Sequence, residues 1–145
     1  MVTDIYKSVV QNAQFGYALH EIIFDNKGVI TDFRFVEVNT AFETLTGLKA
    51  KDITGKTLKQ VFTQSDFREN HWIWSITERV LEGEIVEYEY HVNQTGNWLK
   101  VVINSPVKNY FSAIITDVSH EYLIAEASKK LSQFTFGNID YQLIA

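Results

Sequence analysis

Two apolar runs, residues 15–24 and 29–38, flank the tetrapeptide Asp25-Asn26-Lys27-Gly28, and this arrangement commits the chain to an antiparallel hairpin. Gly28 supplies the positive φ that such a turn needs, and apolar segments of strand length on either side of it pair with each other. The second run is expected to place Phe33, Phe35 and Glu37 on one face, with Val36 and Val38 on the other. A further constraint lies downstream. Val86, Tyr88, Tyr90 and Val92 alternate with Glu87, Glu89 and His91, the pattern of an antiparallel strand with one buried and one wet face. The turn Gln94-Thr95-Gly96-Asn97 then leads into two more expected strands, residues 98–107 and 110–117.

Between the hairpin and this trio the period becomes helical. Asn39 is placed to cap a helix carrying Ala41, Phe42 and Leu45, with Gly47 as its C′ residue. Residues 51–55 and 57–62 read as single turns. Ser65 or Asp66 is expected to cap a longer helix reaching about Leu81, with Trp72, Ile73, Ile76, Val80 and Leu81 as its apolar stripe and Gly83 as its stop. Ile5, Val9 and Val10 predict a leading helix over 3–14, and Leu123, Ile124, Ala127 and Leu131 predict another from Ser119 onward. Residues 132–145 have no clear period and are assigned no element. Two strands, a helical block and three strands predict an α+β domain. Its core is a five-stranded antiparallel sheet with short helices packed on one face and flanking N- and C-terminal helices. The divisions are 1–14 (leading helix), 15–119 (the domain) and 120–145 (exit helix and tail).

Composition narrows the function. A chain of 145 residues, 46% apolar and 21% charged, has the balance of one folded domain. It has no cysteine, which removes disulfides, thiolate metal sites and thiol nucleophiles together. The net charge of −5 disfavours nucleic acid and anionic membranes as partners. No run approaches the roughly 18 apolar residues of a membrane span, and the first residues lack a leader's apolar core. The expectation is therefore a cytoplasmic protein with no membrane insertion. His20, His71, His91 and His120 fall in four separate elements without ligand spacing, so no metal site is expected. No nucleophile–base pairing or phosphate-cradling glycine loop is evident, Glu84, Glu87 and Glu89 read as a solvated face, and no catalytic residue is assigned.

Three ordered motifs resemble the PAS domain family of sensory modules, found in bacterial histidine kinases, diguanylate cyclases and related two-component regulators. Phe35-Val36-Glu37-Val38-Asn39-Thr40-Ala41-Phe42-Glu43-Thr44-Leu45-Thr46-Gly47 is similar to that family's strand-to-helix signature. Asp52-Ile53-Thr54-Gly55-Lys56 resembles its glycine turn, and Ile115-Thr116-Asp117-Val118-Ser119 its exit from the last strand. The resemblance covers residues 15–119. It implies a sheet roofed by helices, a small ligand or none in the space between, and a signal leaving through the C-terminal helix to an output domain in the native protein. The implied exit and dimerisation residues are Asp117, Leu123, Ile124, Ala127 and Leu131, with a homodimer as the expected assembly.

The side chains expected to line a ligand site are Ile22, Phe35, Phe42, Phe62, Ile76, Tyr88, Tyr90, Val102 and Ile115. Packed core is the plain alternative for the same aromatics, which dominate ordinary interiors. The cofactor is left unknown. Family members that form a flavin–cysteine adduct or a chromophore thioester are excluded by the absence of cysteine. Haem is disfavoured because His71 lies near a helix start without the expected surroundings, and a non-covalent small ligand stays open. Two other readings stand beside the sensor: a ligand-free dimerisation module, and an enzyme on a related α+β cone using a buried carboxylate such as Glu37 as base.

Overall fold

The computed structural model describes residues 2–62, 72–92 and 95–144, with side chains over the same residues except 72–76 and 134–144. Eleven elements run along these residues. Helix α1 (Val2–Gln11) precedes the hairpin β1 (Gly16–Phe24) and β2 (Ile30–Val38). Helices α2 (Thr40–Thr46), α3 (Ala50–Ile53), α4 (Leu58–Val61) and α5 (Trp72–Leu81) follow. Strands β3 (Val86–His91), β4 (Trp98–Asn104) and β5 (Tyr110–Asp117) lead into α6 (Ser119–Ile144). The expected cap at Ser65 or Asp66 and the turn at Gln94 lie outside the described residues.

The five strands form one antiparallel sheet of order β2-β1-β5-β4-β3. Its central strand, β5, is the last to be made, so the sheet closes only when the C-terminal third of the chain returns. One face, here called inner, carries Ala18, His20 and Ile22 from β1, Phe33 and Phe35 from β2, Phe111, Ala113 and Ile115 from β5, Leu99, Val101 and Ile103 from β4, and Val86 from β3, all buried. Phe42 of α2, Ile53 of α3, Leu58 of α4 and Val80 of α5 complete the same core. The helical block therefore roofs the inner face, and the sheet's other face looks outward.

Local chemistry accounts for the joints. Asn39 Oδ1 accepts from the backbone N–H of Phe42 at 2.9 Å as N-cap of α2 and from that of Tyr17 at 2.8 Å. Its Nδ2 donates to the carbonyls of Val10 at 2.7 Å and Phe15 at 2.9 Å. One buried side chain with every polar valence used thus ties α1, β1 and α2 together. Gly16 lies so close to α2 that a Cβ there would meet the Phe42 Cα at 3.1 Å. The helix α2 ends at Gly47 in the left-handed region (φ 79°), whose N–H donates to Glu43.

Three expectations need correction. The face assignment in β2 breaks at Val36, where the pairing skips from Glu37↔Leu19 to Phe35↔His20. The extra residue shifts the phase, so Val38 turns inward opposite Ala18 while Glu37 turns outward. Strand β4 stops at Asn104 instead of residue 107, because Pro106 has no N–H for a ladder and the Ser105 hydroxyl donates to Val107 and Tyr110 carbonyls. Residues 132–144, assigned no element from the sequence, continue α6.

Candidate functional site

The inner face is aromatic where β2, β1 and β5 meet. His20, opposite Phe35 on one side and Phe111 on the other, lies between those rings. It stacks on Phe111 (centroids 4.3 Å, planes 11° apart) and tilts against Phe35 (4.8 Å, 50°). Phe33 meets Phe111 edge-on at 5.1 Å, and Phe42 meets Phe35 at 6.3 Å. His20 is only 6% exposed. Burial among these rings pushes its pKa down to about 3, against a smaller upward effect of a backbone hydrogen bond to Phe111. The imidazole is therefore neutral at physiological pH. Its Nδ1 is buried without a hydrogen-bond partner.

Of the expected lining residues, Ile22, Phe35, Phe42 and Ile115 are buried on the inner side, and Phe62 packs half-buried against the same core. Tyr88 and Tyr90 are half-buried and pair with Val101 and Leu99, whose side chains face inward. Burial, with a lesser contribution from Tyr90, raises the Tyr88 phenol well above its usual range. Val102 departs from the group: it alternates with buried Val101 and Ile103 and pairs with exposed Glu87, which puts it on the outer face. The side chain of Ile76, and His71 entirely, lie outside the described residues. A cleft of about 370 Å³ between the β1–β2 turn and the end of α5 is lined by Phe24, Val29, Ile30 and Leu81 with Glu78 and Glu82. It includes none of the expected lining residues.

The outer face is built differently. Trp98 stacks on Tyr122 of α6 (4.3 Å, 8°) and touches His91 at 4.7 Å. The Trp98 N–H donates to Ser119 Oγ at 2.8 Å, its carbonyl accepts from Val118 N–H at 2.8 Å, and the Tyr122 hydroxyl bonds Glu89. Asp117 accepts from Ser119 N–H at 2.9 Å. The first turn of α6 is thus riveted to β4 and β3. Beyond it the expected stripe stands free: Leu123 is 69%, Ile124 53% and Leu131 64% exposed, and Ala127 is exposed too. Helix α1 likewise exposes Ile5, Tyr6 and Val9. Glu37 is half-buried on the outer side and accepts from Gln11 Nε2 at 3.1 Å, away from the aromatic face. Among the described residues no three His, Cys, Asp or Glu gather as a metal site, and no helix is long and apolar enough to cross a membrane.

Sequence reading weighed only His71 individually, as a haem ligand, and passed over His20 with the rest. The only signal available was its place in the Tyr17-Ala18-Leu19-His20-Glu21-Ile22 alternation, where it shares a phase with Ala18 and Ile22.

The chain is thus a five-stranded antiparallel sheet with helices on one face and the first turn of α6 fixed to the other. The chain belongs to the PAS domain family, whose model matches residues 21–120, and PAS domains are sensory signalling modules, generally non-catalytic. Solved structures agree on the fold. An RNA-binding light-oxygen-voltage receptor superposes with a TM-score of 0.62 at 18% identity, over 91% of this chain and 37% of its own. This chain thus spans little more than a third of that receptor. The PAS domain of Bordetella pertussis BvgS gives 0.53 at 13% identity over 92% and 95% of the two chains. A domain of a sensory box histidine kinase/response regulator from Geobacter sulfurreducens gives 0.51 at 18%, over 80% and 94%. A comparison with curated proteins finds no match.

Proposed function

We propose that this chain is a sensory input module that takes a small ligand on its inner face and passes the change through β4 to α6, acting as a homodimer on an output domain. The observation that carries this reading is the riveting of the first turn of α6 to Trp98. The backbone of β4 contributes Leu99, Val101 and Ile103 to the inner face and, one residue out of phase, holds α6 on the other. A displacement of the strand by a ligand moves the helix with it. Unbiased mass spectrometry of what co-purifies, followed by thermal-shift titration of the compound found, tests the ligand. A specific ligand raises the melting temperature by linkage; no co-purifying compound and no stabilising metabolite would end the sensing claim. Colour adds a cheap check, since a yellow or red preparation identifies a flavin or a haem.

A second reading, a dimerisation module without ligand, is favoured by one feature: the exposed apolar residues of α1 and α6. Exposed apolar stripes of this kind are commonly covered by a partner. Light scattering on the purified chain separates the two, because a dimer that no ligand stabilises supports the second. A monomer counts against dimerisation in both.

A further inference from the structure

His20 presents an unusual combination. It is a neutral imidazole, buried at the centre of three strands, stacked on one face and tilted against a ring on the other, with one nitrogen lacking any partner. Buried acceptors are almost always satisfied, and leaving one unmade costs about 1–3 kcal/mol. A core built only for stability would place leucine or phenylalanine here. Proteins keep such a penalty where it serves binding, since the group is then paired when the ligand arrives.

The surroundings also restrict the partner. The neighbouring side chains are Phe35, Phe111, Phe33 and Phe42, a lining that favours aromatic or other flat apolar molecules. Among the described residues the buried polar side chains are His20, Asp32, Asn39, Thr77 and Ser112, with no lysine or arginine. Because Nδ1 has no partner, the backbone hydrogen bond to Phe111 takes the N–H of the other nitrogen, so the free nitrogen of the neutral ring is an acceptor and the partner must bring a donor.

We propose that the inner face binds an aromatic molecule whose N–H or O–H donates to His20 Nδ1. This rests on the reading that the inner face takes a ligand, and it adds the anchor and the chemical class.

Matched probes test it: indole against indene and phenol against toluene, pairs of similar shape that differ in the donor. In the unliganded protein, ¹⁵N spectra of the imidazole are expected to give His20 one protonated nitrogen and one free of hydrogen bonds. Indole and phenol are expected to shift the free nitrogen upfield and to bind about tenfold tighter than indene and toluene. His20→Phe is expected to erase that preference and, by removing the unpaired acceptor, to raise Tm by roughly 3–5 °C. His20→Gln, which keeps an acceptor, is expected to restore part of the preference. The proposal falls if the nitrogen is already hydrogen-bonded in the free protein, as a resident water would make it. It falls too if the paired probes bind equally, if none binds, or if His20→Phe lowers Tm. A co-purifying metabolite whose affinity ignores His20→Phe would sink this anchor and leave the sensory reading standing. Probes that behave as expected while no metabolite is ever found would do the reverse.

Discussion

The two faces of the sheet each carry one described histidine beside an aromatic ring, and they use it in opposite ways. On the inner face His20 is sealed between Phe35 and Phe111 with a nitrogen unpaired. On the outer face His91 lies exposed and tilted against Trp98, beside the stack that fixes α6. The inner face gains its energy from burial and carries a polar defect; the outer face gains little from burial and carries the mechanical link. The buried core and the attachment of α6 are therefore divided between faces one residue apart in phase on the same strands.

That division is open to disruption from both sides. Phe111→Ala removes a buried ring that touches both His20 and Phe33, and is expected to cost about 3–5 kcal/mol in urea denaturation. Asn39→Ala strips four hydrogen bonds from a side chain that is 1% exposed. It is expected to cost about 2–4 kcal/mol and to loosen α1 as well as α2, measurable as faster hydrogen exchange in both. If either change costs less than its outer-face counterpart below, the division is wrong.

Acid probes the inner-face histidine next. The folded pKa of His20, about 3, lies below the ordinary 6.5, so as pH falls the unfolded chain takes up the proton first. The stability of neutral His20 is complete above pH 6.5 and drains as pH falls towards 3, by about 1.4 kcal/mol per pH unit. His20→Phe lacks this loss, so its stability advantage over the wild type is expected to widen from pH 7 to pH 5. A gap that stays constant would place His20 in a wet site. On the outer face, Trp98→Ala is expected to cost only about 1–2 kcal/mol, because the ring is half-exposed, yet to free the first turn of α6. Smallest of all, breaking the exposed pair Lys100–Glu87 (2.9 Å) with Lys100→Met is expected to change stability by under about 0.5 kcal/mol.

The extent to which this was legible in the sequence follows from the range of the interactions. Local devices were readable: the Gly28 turn, the Asn39 cap, the Gly47 stop and the alternation in β3 each act within a few residues of themselves. The order of the elements, with the three motifs, was sufficient for the family. Phase was the harder quantity. The run Trp98-Leu99-Lys100-Val101-Val102-Ile103 offers an apolar residue at adjacent positions, so only its pairing with Glu87 and Glu89 shows that Val102 points outward. The insertion at Val36 that sends Glu37 outward is a property of the pairing with β1. The extension of α6 to Ile144 could not be read, since residues 132–144 show no helical spacing of apolar residues in the sequence. The candidate site was half legible: Phe35 and Phe42 were named for it, while Phe33, Phe111 and His20 joined it only once β2 and β5 were brought to either side of β1.

The central claim is that the two faces communicate through β4. Hydrogen exchange followed by mass spectrometry, with and without saturating indole, measures this most directly. The expected result is a change in protection at β1 and β5 around His20 accompanied by a change at β4 and at residues 119–123 of α6. Protection confined to the inner-face strands, with the first turn of α6 unaltered, would contradict it.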